Sequence, residues 1–432
     1  MLINITVSVL ILSLLIFLML RCLADWGLPV AVPALGGGTA VQDSAVLKNA
    51  APSKGQDLRV FLFALAVRLA VLLGFAAAVV LASSSEVTLE GFLSKFQLWD
   101  ARHYLNLIEQ GYAGYEEEGR HIFLVFFPAY VWVCRLFGLA MPTLAAALLV
   151  SVLSFSWGCC YVYRLGREFY GEATAWYGVL FLCAFPFSFF YGAAMTEGLF
   201  LLSTAAACYY AVKGRWLAYG LWGALAAACR MTGILVIAFA GVELLRTLKP
   251  LAPPAGQSLR RSCKPFLLRL PLVLLPLLGT ASYLLLNWHV DGDPFAFVGH
   301  QEHWHQGSMW ISQVVEYLIR YAKNYAAQSI GWAIWFPSLL LFAGFLAVLW
   351  LSALRRESRP SLLVFALGYF TANFSLSWLL SAGRYLSGGF PLFLLLAARV
   401  EKYPRLRDFL LLAESLFLGV YLYAYANNAQ IM

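Results

Sequence analysis

IGWAIWFPSLLLFAGFLAVLWLSA, residues 330–353, runs without a charged side chain, and Arg355, Arg356 and Arg359 follow it. A helix needs about 20 apolar residues to cross a hydrocarbon core of about 30 Å. Comparable runs occupy 3–21, 59–82, 142–163, 173–192, 266–287, 361–381 and 408–425. Shorter ones lie at 197–212, 216–230, 232–246 and 386–400. Together they predict an all-α integral membrane protein of about twelve spans, a single polytopic domain over residues 1–432.

Composition agrees. Of 432 residues, 62% are hydrophobic and 12% charged, about half the charge of an ordinary soluble domain. One aqueous core could not hide that much apolar surface. The net charge of +8 lies in short clusters between apolar runs, with no recognition motif, so the sequence carries no nucleic-acid reading. The eight cysteines sit almost wholly inside apolar runs without a CxxC pair, as small packing residues do. Arg21 follows the first apolar run rather than preceding it, which predicts an uncleaved first span.

The basic clusters set the orientation. Arg164 and Arg167 end one run; Arg246, Lys249, Arg260, Arg261 and Lys264 fill a Pro-containing linker. Arg355, Arg356 and Arg359, then Arg399, Lys402, Arg405 and Arg407, follow later runs. All share one side if the three short runs between 197 and 246 each cross, and the positive-inside rule makes that side cytoplasmic. Residues 83–141 and 288–329 become the first and second outer loops, joined by the turns 193–196 and 382–385. Within 83–122 lie seven acids (Glu86, Glu90, Asp100, Glu109, Glu116, Glu117, Glu118) against three bases (Lys95, Arg102, Arg120), as suits an outer loop. The run 122–138 reads as a re-entrant or interfacial helix broken by Phe127-Pro128. Gly36-Gly37-Gly38, within 24–58, reads as a cytoplasmic linker.

Polar groups at membrane depth are expensive, so they mark candidate sites. Trp99-Asp100-Ala101-Arg102-His103-Tyr104 opens an amphipathic surface helix continued by Leu105, Leu107 and Ile108. Asp100 reads either as a helix-start cap or as a base beneath the headgroups. Met195-Thr196-Glu197-Gly198 joins two apolar runs, and its Glu197 reads as an exposed turn acid or as a partner for a cation. Arg230, in Arg230-Met231-Thr232-Gly233, requires an anionic partner: a phosphate, or a carboxylate such as Glu197. The second outer loop carries Asp291, Asp293, His300, Glu302, His303 and His305, whose spacing is not that of a zinc motif. Gly383-Arg384-Tyr385 returns to the outer face, where a snorkelling arginine is the plain account. The topology sends Asp100, Glu197, Arg230, His303 and Arg384 to one face, where opposite charges would receive an anionic lipid headgroup.

Those segments, in order, resemble a known family. Trp99-Asp100 with His103-Tyr104 and Gly111-Tyr112, then Phe126-Phe127-Pro128, are similar to the opening motifs of PIG-V type mannosyltransferases and their bacterial relatives. Ala193-Ala194-Met195-Thr196-Glu197-Gly198-Leu199-Phe200 resembles that family's acidic segment. Arg230-Met231-Thr232-Gly233 resembles its Arg-x-x-Gly, and Gly383-Arg384-Tyr385 with Phe390-Pro391 its late Arg-Tyr segment. The resemblance implies a GT-C type helical bundle, a polyprenyl-phosphate sugar donor, a glycan or glycolipid acceptor, and inversion at the anomeric carbon. It also implies a membrane location, the bacterial plasma membrane or the ER, with the active site on the outer or luminal face. Thr196-Glu197-Gly198 replaces the eukaryotic Ser-Glu-Ser and the outer loops are short, which points to a bacterial relative and away from GPI as acceptor.

A phosphate leaving group needs no proton, so one base and cationic support suffice. Asp100 is the expected catalytic base. Arg230 and Arg384 are expected at the donor phosphate, with His303 a further candidate. Glu197, His103, Arg102 and Tyr385 complete the expected substrate contacts. No metal site is expected, and the sequence leaves open whether a divalent cation takes part. The rival readings are a lipid or glycolipid transporter or flippase, which would show midplane charges and repeated halves, and a non-enzymatic scaffold, which leaves Arg230 unexplained.

Overall fold

The computed structural model describes residues 2–32, 54–83, 87–253, 256–377, 379–429 and 431. The Gly36–Gly38 linker and Glu86 lie outside them. Among the described residues the chain is helical with no named strand. The first third contains α1 (Leu2–Asp25), α2 (Lys54–Ala82), α3 (Leu89–Ser94), α4 (Asp100–Gln110), α5 (Pro128–Gly138) and α6 (Thr143–Tyr170). Next come α7 (Glu172–Ala184), α8 (Glu197–Val212), α9 (Trp216–Cys229), α10 (Leu235–Leu248), α11 (Leu259–Val273) and α12 (Leu277–Asp291). The last third holds α13 (Ala296–His300), α14 (Ile311–Asn324), α15 (Phe336–Ala353), α16 (Pro360–Asn373), α17 (Ala382–Ser387), α18 (Phe390–Val400) and α19 (Pro404–Ala426).

Among the described residues seven elements are long and apolar enough to cross a membrane: Leu2–Asp25, Gly55–Ala82, Thr143–Tyr170, Met231–Leu248, Leu259–Asp291, Gly331–Ala353 and Pro404–Ala426. Four shorter apolar helices join them, namely α7, α8, α9 and α18. The chain is an integral membrane protein. Its centre is α6, whose most apolar window is 61% buried, against 22% for α1 and α19 at the lipid-facing rim. Around α6 pack α2, α5, α7 and α8.

Several expected runs are interrupted, each for a local reason. The run 173–192 stops at Ala184 because Pro186 cannot continue the helix; the 3-10 turn Ser188–Gly192 follows. The run 361–381 stops at Asn373 because residues 375–377 turn to pair with the segment before α14, Met309 N–H donating to Ser375 O and Ser377 N–H to Gly307 O (both 2.9 Å). Residues 122–138 form a 3-10 turn, Ile122–Val125, and then α5, with Pro128 in its first turn. Eleven residues make a helix of about 16 Å, too short to cross the core alone.

The bundle has two chemically distinct ends. At one, Arg164 clasps Asp57 (3.0 and 2.7 Å), Lys213 pairs with Glu168 (2.8 Å), and Arg399 pairs with Glu357 (3.1 Å). There too Arg246 and Arg359 flank buried Glu243, and Arg21 donates to the carbonyls of Ala353 and Ser358 (each 2.6 Å). α8 starts at Glu197 and reaches this basic end beside Lys213, so its 16 residues hold Glu197 about 24 Å away, at the opposite end.

Arg68 sits in the middle of α2, fully buried, inside the run 59–82. Among the described residues no carboxylate reaches it. Its guanidinium donates to Cys183 O (3.0 Å), to Ser188 O and to Ser188 Oγ (3.3 Å), over the Phe155 ring (4.5 Å). Cys183 O belongs to the last turn of α7, whose carbonyls lack helical partners and carry the negative end of the dipole. The arginine therefore caps a broken helix inside the membrane. Arg68→Leu strands Ser188 O at about 1–3 kcal/mol and leaves Cys183 O with the Ser188 hydroxyl alone (2.7 Å), so detergent-purified protein should melt a few degrees lower, with Arg68→Lys recovering part. A leucine variant as stable as the parent would refute the capping role.

Candidate active site

α4 begins after a forced turn. Trp99 adopts φ 57°, where bulky residues are rare, between the 3-10 turn Lys95–Gln97 and Asp100. The kink starts α4 abruptly and makes Asp100 its first residue rather than its cap. Ala101, Tyr104, Leu105, Leu107 and Ile108 then face inward, the amphipathic pattern expected from sequence.

From Asp100 an unbroken series of charged contacts runs into the protein. Arg384 Nη1 donates to Asp100 Oδ2 (2.5 Å), and Arg384 Nε to Glu197 Oε1 (2.6 Å). Arg230 Nη2 donates to the same Glu197 oxygen, and Arg230 Nε to Thr196 Oγ1 (2.9 Å). Two carboxylates and two guanidinium groups alternate, so the set is neutral. The middle is sealed, with Glu197 0% and Arg384 2% exposed, while the ends stay open, Asp100 at 24% and Arg230 at 15%. Glu197 Oε2 is buried and has no hydrogen-bond partner among the described residues.

Aromatic rings hold the guanidinium groups in place. Phe190 lies 5.1 Å from Arg384 and Phe200 5.6 Å from Arg230; Tyr385 sits beside both, at 5.8 and 5.5 Å. Local backbone explains the presentation. A Cβ on Gly233 would strike Ala226 O at 2.1 Å, so only glycine lets the turn Met231–Ile234 fold onto the end of α9 and leave Arg230 extended. A Cβ on Gly383 would enter the Phe187 ring at 2.2 Å.

The remaining expected residues divide. His103, one turn after Asp100, bonds Tyr115 OH through Nδ1 (3.0 Å) and stacks on Phe123 (4.9 Å). Burial pushes its imidazole below the ordinary range, so at neutral pH it offers hydrogen bonds rather than charge. Arg102 is exposed on the far face of α4. His303 is exposed as well, its ring against Trp304 (5.4 Å), which in turn meets His103 edge-on (5.5 Å). Neither Arg102 nor His303 joins the ion network. In the same loop His300 bonds Asp291 (3.1 Å). Among the described residues no three His, Cys, Asp or Glu side chains gather as an ion would require. Thr196 and Trp304 are the contacts that the reading of charged residues passed over; each adjoins a residue it had singled out.

The profile of the family described as Mannosyltransferase (PIG-V) matches residues 60–287, just over half of the chain and the part that holds Asp100, Glu197 and Arg230. The chain belongs to the PIG-V mannosyltransferase family. It is 29% identical over 175 residues to GPI alpha-1,6-mannosyltransferase 2 of Mus musculus, covering 36% of this chain and 33% of that protein. With the Cricetulus griseus protein of that name it shares 29% identity over 202 residues, covering 40% and 38%. The matched stretch thus spans little more than a third of these curated relatives. Among solved structures, the apo oligosaccharyltransferase of Archaeoglobus fulgidus aligns over 88% of this chain and 57% of that one, at 14% identity and a TM-score of 0.46. The archaeal oligosaccharyltransferase from the same organism, in complex with an inhibitory peptide and a dolichol-phosphate, aligns over 86% and 55%, at 15% identity and 0.43.

In this PIG-V family chain the four ionic residues should behave as one energetic unit. Glu197→Gln leaves two arginines without their shared carboxylate, and breaking such a buried pair costs about 3–5 kcal/mol. Arg384→Gln strands Asp100 and leaves Glu197 with Arg230 alone. Denaturant unfolding of the two singles and the double should show the double less destabilised than their sum by about 0.5–3 kcal/mol. Simple additivity would show that the contacts are not coupled.

Proposed function

We propose that the protein is a membrane glycosyltransferase that moves a sugar, mannose by family, from a polyprenyl-phosphate donor to an acceptor hydroxyl on a glycan or glycolipid. The observation that carries this reading is the ion network with its two open ends. A buried network that served stability alone gains little over apolar packing. One that keeps a carboxylate and a guanidinium accessible at its ends supplies what this transfer needs.

At one end Asp100 has Oδ2 fixed by Arg384 and its other oxygen free for the acceptor hydroxyl. The acceptor oxygen attacks the anomeric carbon and its proton passes to Asp100. The bond from that carbon to the phosphate oxygen breaks, and polyprenyl phosphate leaves unprotonated, with inversion. Arg230 and Arg384 offset the charge on that phosphate. Glu197 orients both arginines through one oxygen. Tyr385 walls the pair of arginines and His103 supports the start of α4. The positive-inside rule assigns the basic end of the bundle to the cytoplasm, so the network faces outward.

Asp100→Asn keeps the shape and removes the base. Transfer of labelled mannose from polyprenyl-phosphate mannose, by purified protein in nanodiscs, should fall by about 10²–10⁴ while the protein stays folded. Activity within a few-fold of the parent would sink the assignment. Movement of lipid across the bilayer without any sugar transfer would favour the flippase reading instead.

A further inference from the structure

Beside the ion network an apolar groove opens between α2, α19, the turn Lys95–Gln97 and the turn Ser188–Gly192. Its walls include Leu72, Phe75, Phe96, Phe189, Leu422 and Tyr425, and among the described residues its one charged lining residue is Lys95. The rings interlock: Phe75 meets Phe96 at 5.1 Å and Tyr425 at 5.9 Å, and Tyr425 meets Phe189 at 5.3 Å. On α2 the flanking Leu69 and Leu73 are 50% and 72% exposed, so the groove opens sideways toward lipid rather than toward water. Lys95 closes the top by donating to Asn428 Oδ1 (2.8 Å), beyond the end of α19.

The groove is joined to the chemistry on two sides. Phe189 on its wall stacks on Phe190 (4.3 Å), the ring 5.1 Å from the Arg384 guanidinium. Lys95 lies five residues before Asp100, in the turn that packs against α4.

We infer that this groove receives the isoprenoid chain of the lipid-phosphate sugar donor, with Lys95 facing the phosphate. The inference rests on the glycosyltransferase reading above. Its choice of donor over a lipid-anchored acceptor follows from connectivity. In the donor, the phosphate is bonded to the reacting carbon and the chain begins at the same phosphate, so the chain must leave from the site itself. An acceptor's lipid is separated from its reacting hydroxyl by sugars and is not bound to that spot. An apolar trough with a cation at its head, one ring removed from Arg384, meets the donor's requirement. The ammonium also complements an anion where the surrounding walls are apolar.

The test fills the groove without touching the ion network. A Cβ on Gly192 meets Leu72 at 3.7 Å, an ordinary contact, so Gly192→Leu places its branch in the trough; Leu72→Trp does so from the other wall. With long-chain polyprenyl-phosphate mannose, each should raise KM about tenfold and hold kcat within about twofold. A short-chain citronellyl analogue should be used as well as by the parent. Equal impairment with both donors would mark a folding defect and overturn the inference. Independently, a benzophenone-bearing polyprenyl phosphate should label the peptides of Phe96 or Tyr425, in the parent and in Asp100→Asn. Unlabelled polyprenyl phosphate should compete and phosphatidylglycerol should not. Labelling elsewhere, or equal competition by phosphatidylglycerol, would overturn it. Groove labelling with no sugar transfer by any variant would uphold the groove and defeat the transferase reading; transfer with labelling elsewhere would do the reverse.

Discussion

The ion network through Asp100, Arg384, Glu197 and Arg230 is the constraint on which the end of the molecule opposite the basic cluster depends. Removing two guanidinium groups and a carboxylate from water costs several kcal/mol per ion, and only close pairing on every side offsets it. Arg384 meets this by bonding both acids, and Glu197 by accepting both arginines on one oxygen. Four segments far apart in the chain are thereby fixed to one another: the start of α4, the start of α8, the end of α9, and α17. None of the four can shift without exposing a buried charge, so the site is rigid before any substrate arrives, the condition under which oriented dipoles and charges act best on a transition state.

That network also brings Asp100 and Glu197 to the same end of the bundle. Were the segment 122–138 a full crossing, Asp100 and Glu197 would fall on opposite faces. Direct contact through Arg384 places them together, and the shortness of α5 agrees. Basic residues gather at the far end, so the positive-inside pattern seen along the sequence becomes a spatial polarity of the bundle.

What could be read from sequence was whatever repeats locally. Apolar runs predicted the helices, period and turn residues predicted α4, and the expense of Arg230 in an apolar stretch demanded an anion, a phosphate or a carboxylate, with Glu197 the nearest carboxylate in sequence. Breaks were harder. The run 173–192 hides the effect of Pro186, and 361–381 ends early because residues 375–377 pair with a loop about 70 positions away (Ser377 on Gly307), which no local pattern reports. Arg68 was invisible for another reason: one charge inside the otherwise apolar stretch 60–82 barely lowers the run's hydropathy, and its partners are backbone carbonyls, which have no sequence signature. His303 drew notice because histidines are rare here, yet rarity says nothing of direction, and its ring faces Trp304.

Cost is distributed unevenly along the bundle axis, and that bears on why the network exists. At the basic end most pairs are partly exposed, such as Lys213 with Glu168 at 34% and 29%, and pairs of that kind contribute about 0–1 kcal/mol. Glu243, flanked by Arg246 and Arg359, is the buried exception. At the other end the chain holds Trp99 at positive φ, a strain of about 1–3 kcal/mol, immediately before the first acid of a largely buried ionic set. A fold seeking stability alone would relax Trp99 with a glycine and replace the ions with leucines. Strain and buried charge kept side by side, with one carboxylate edge left open, are expenses that the proposed chemistry at Asp100 would explain and packing does not.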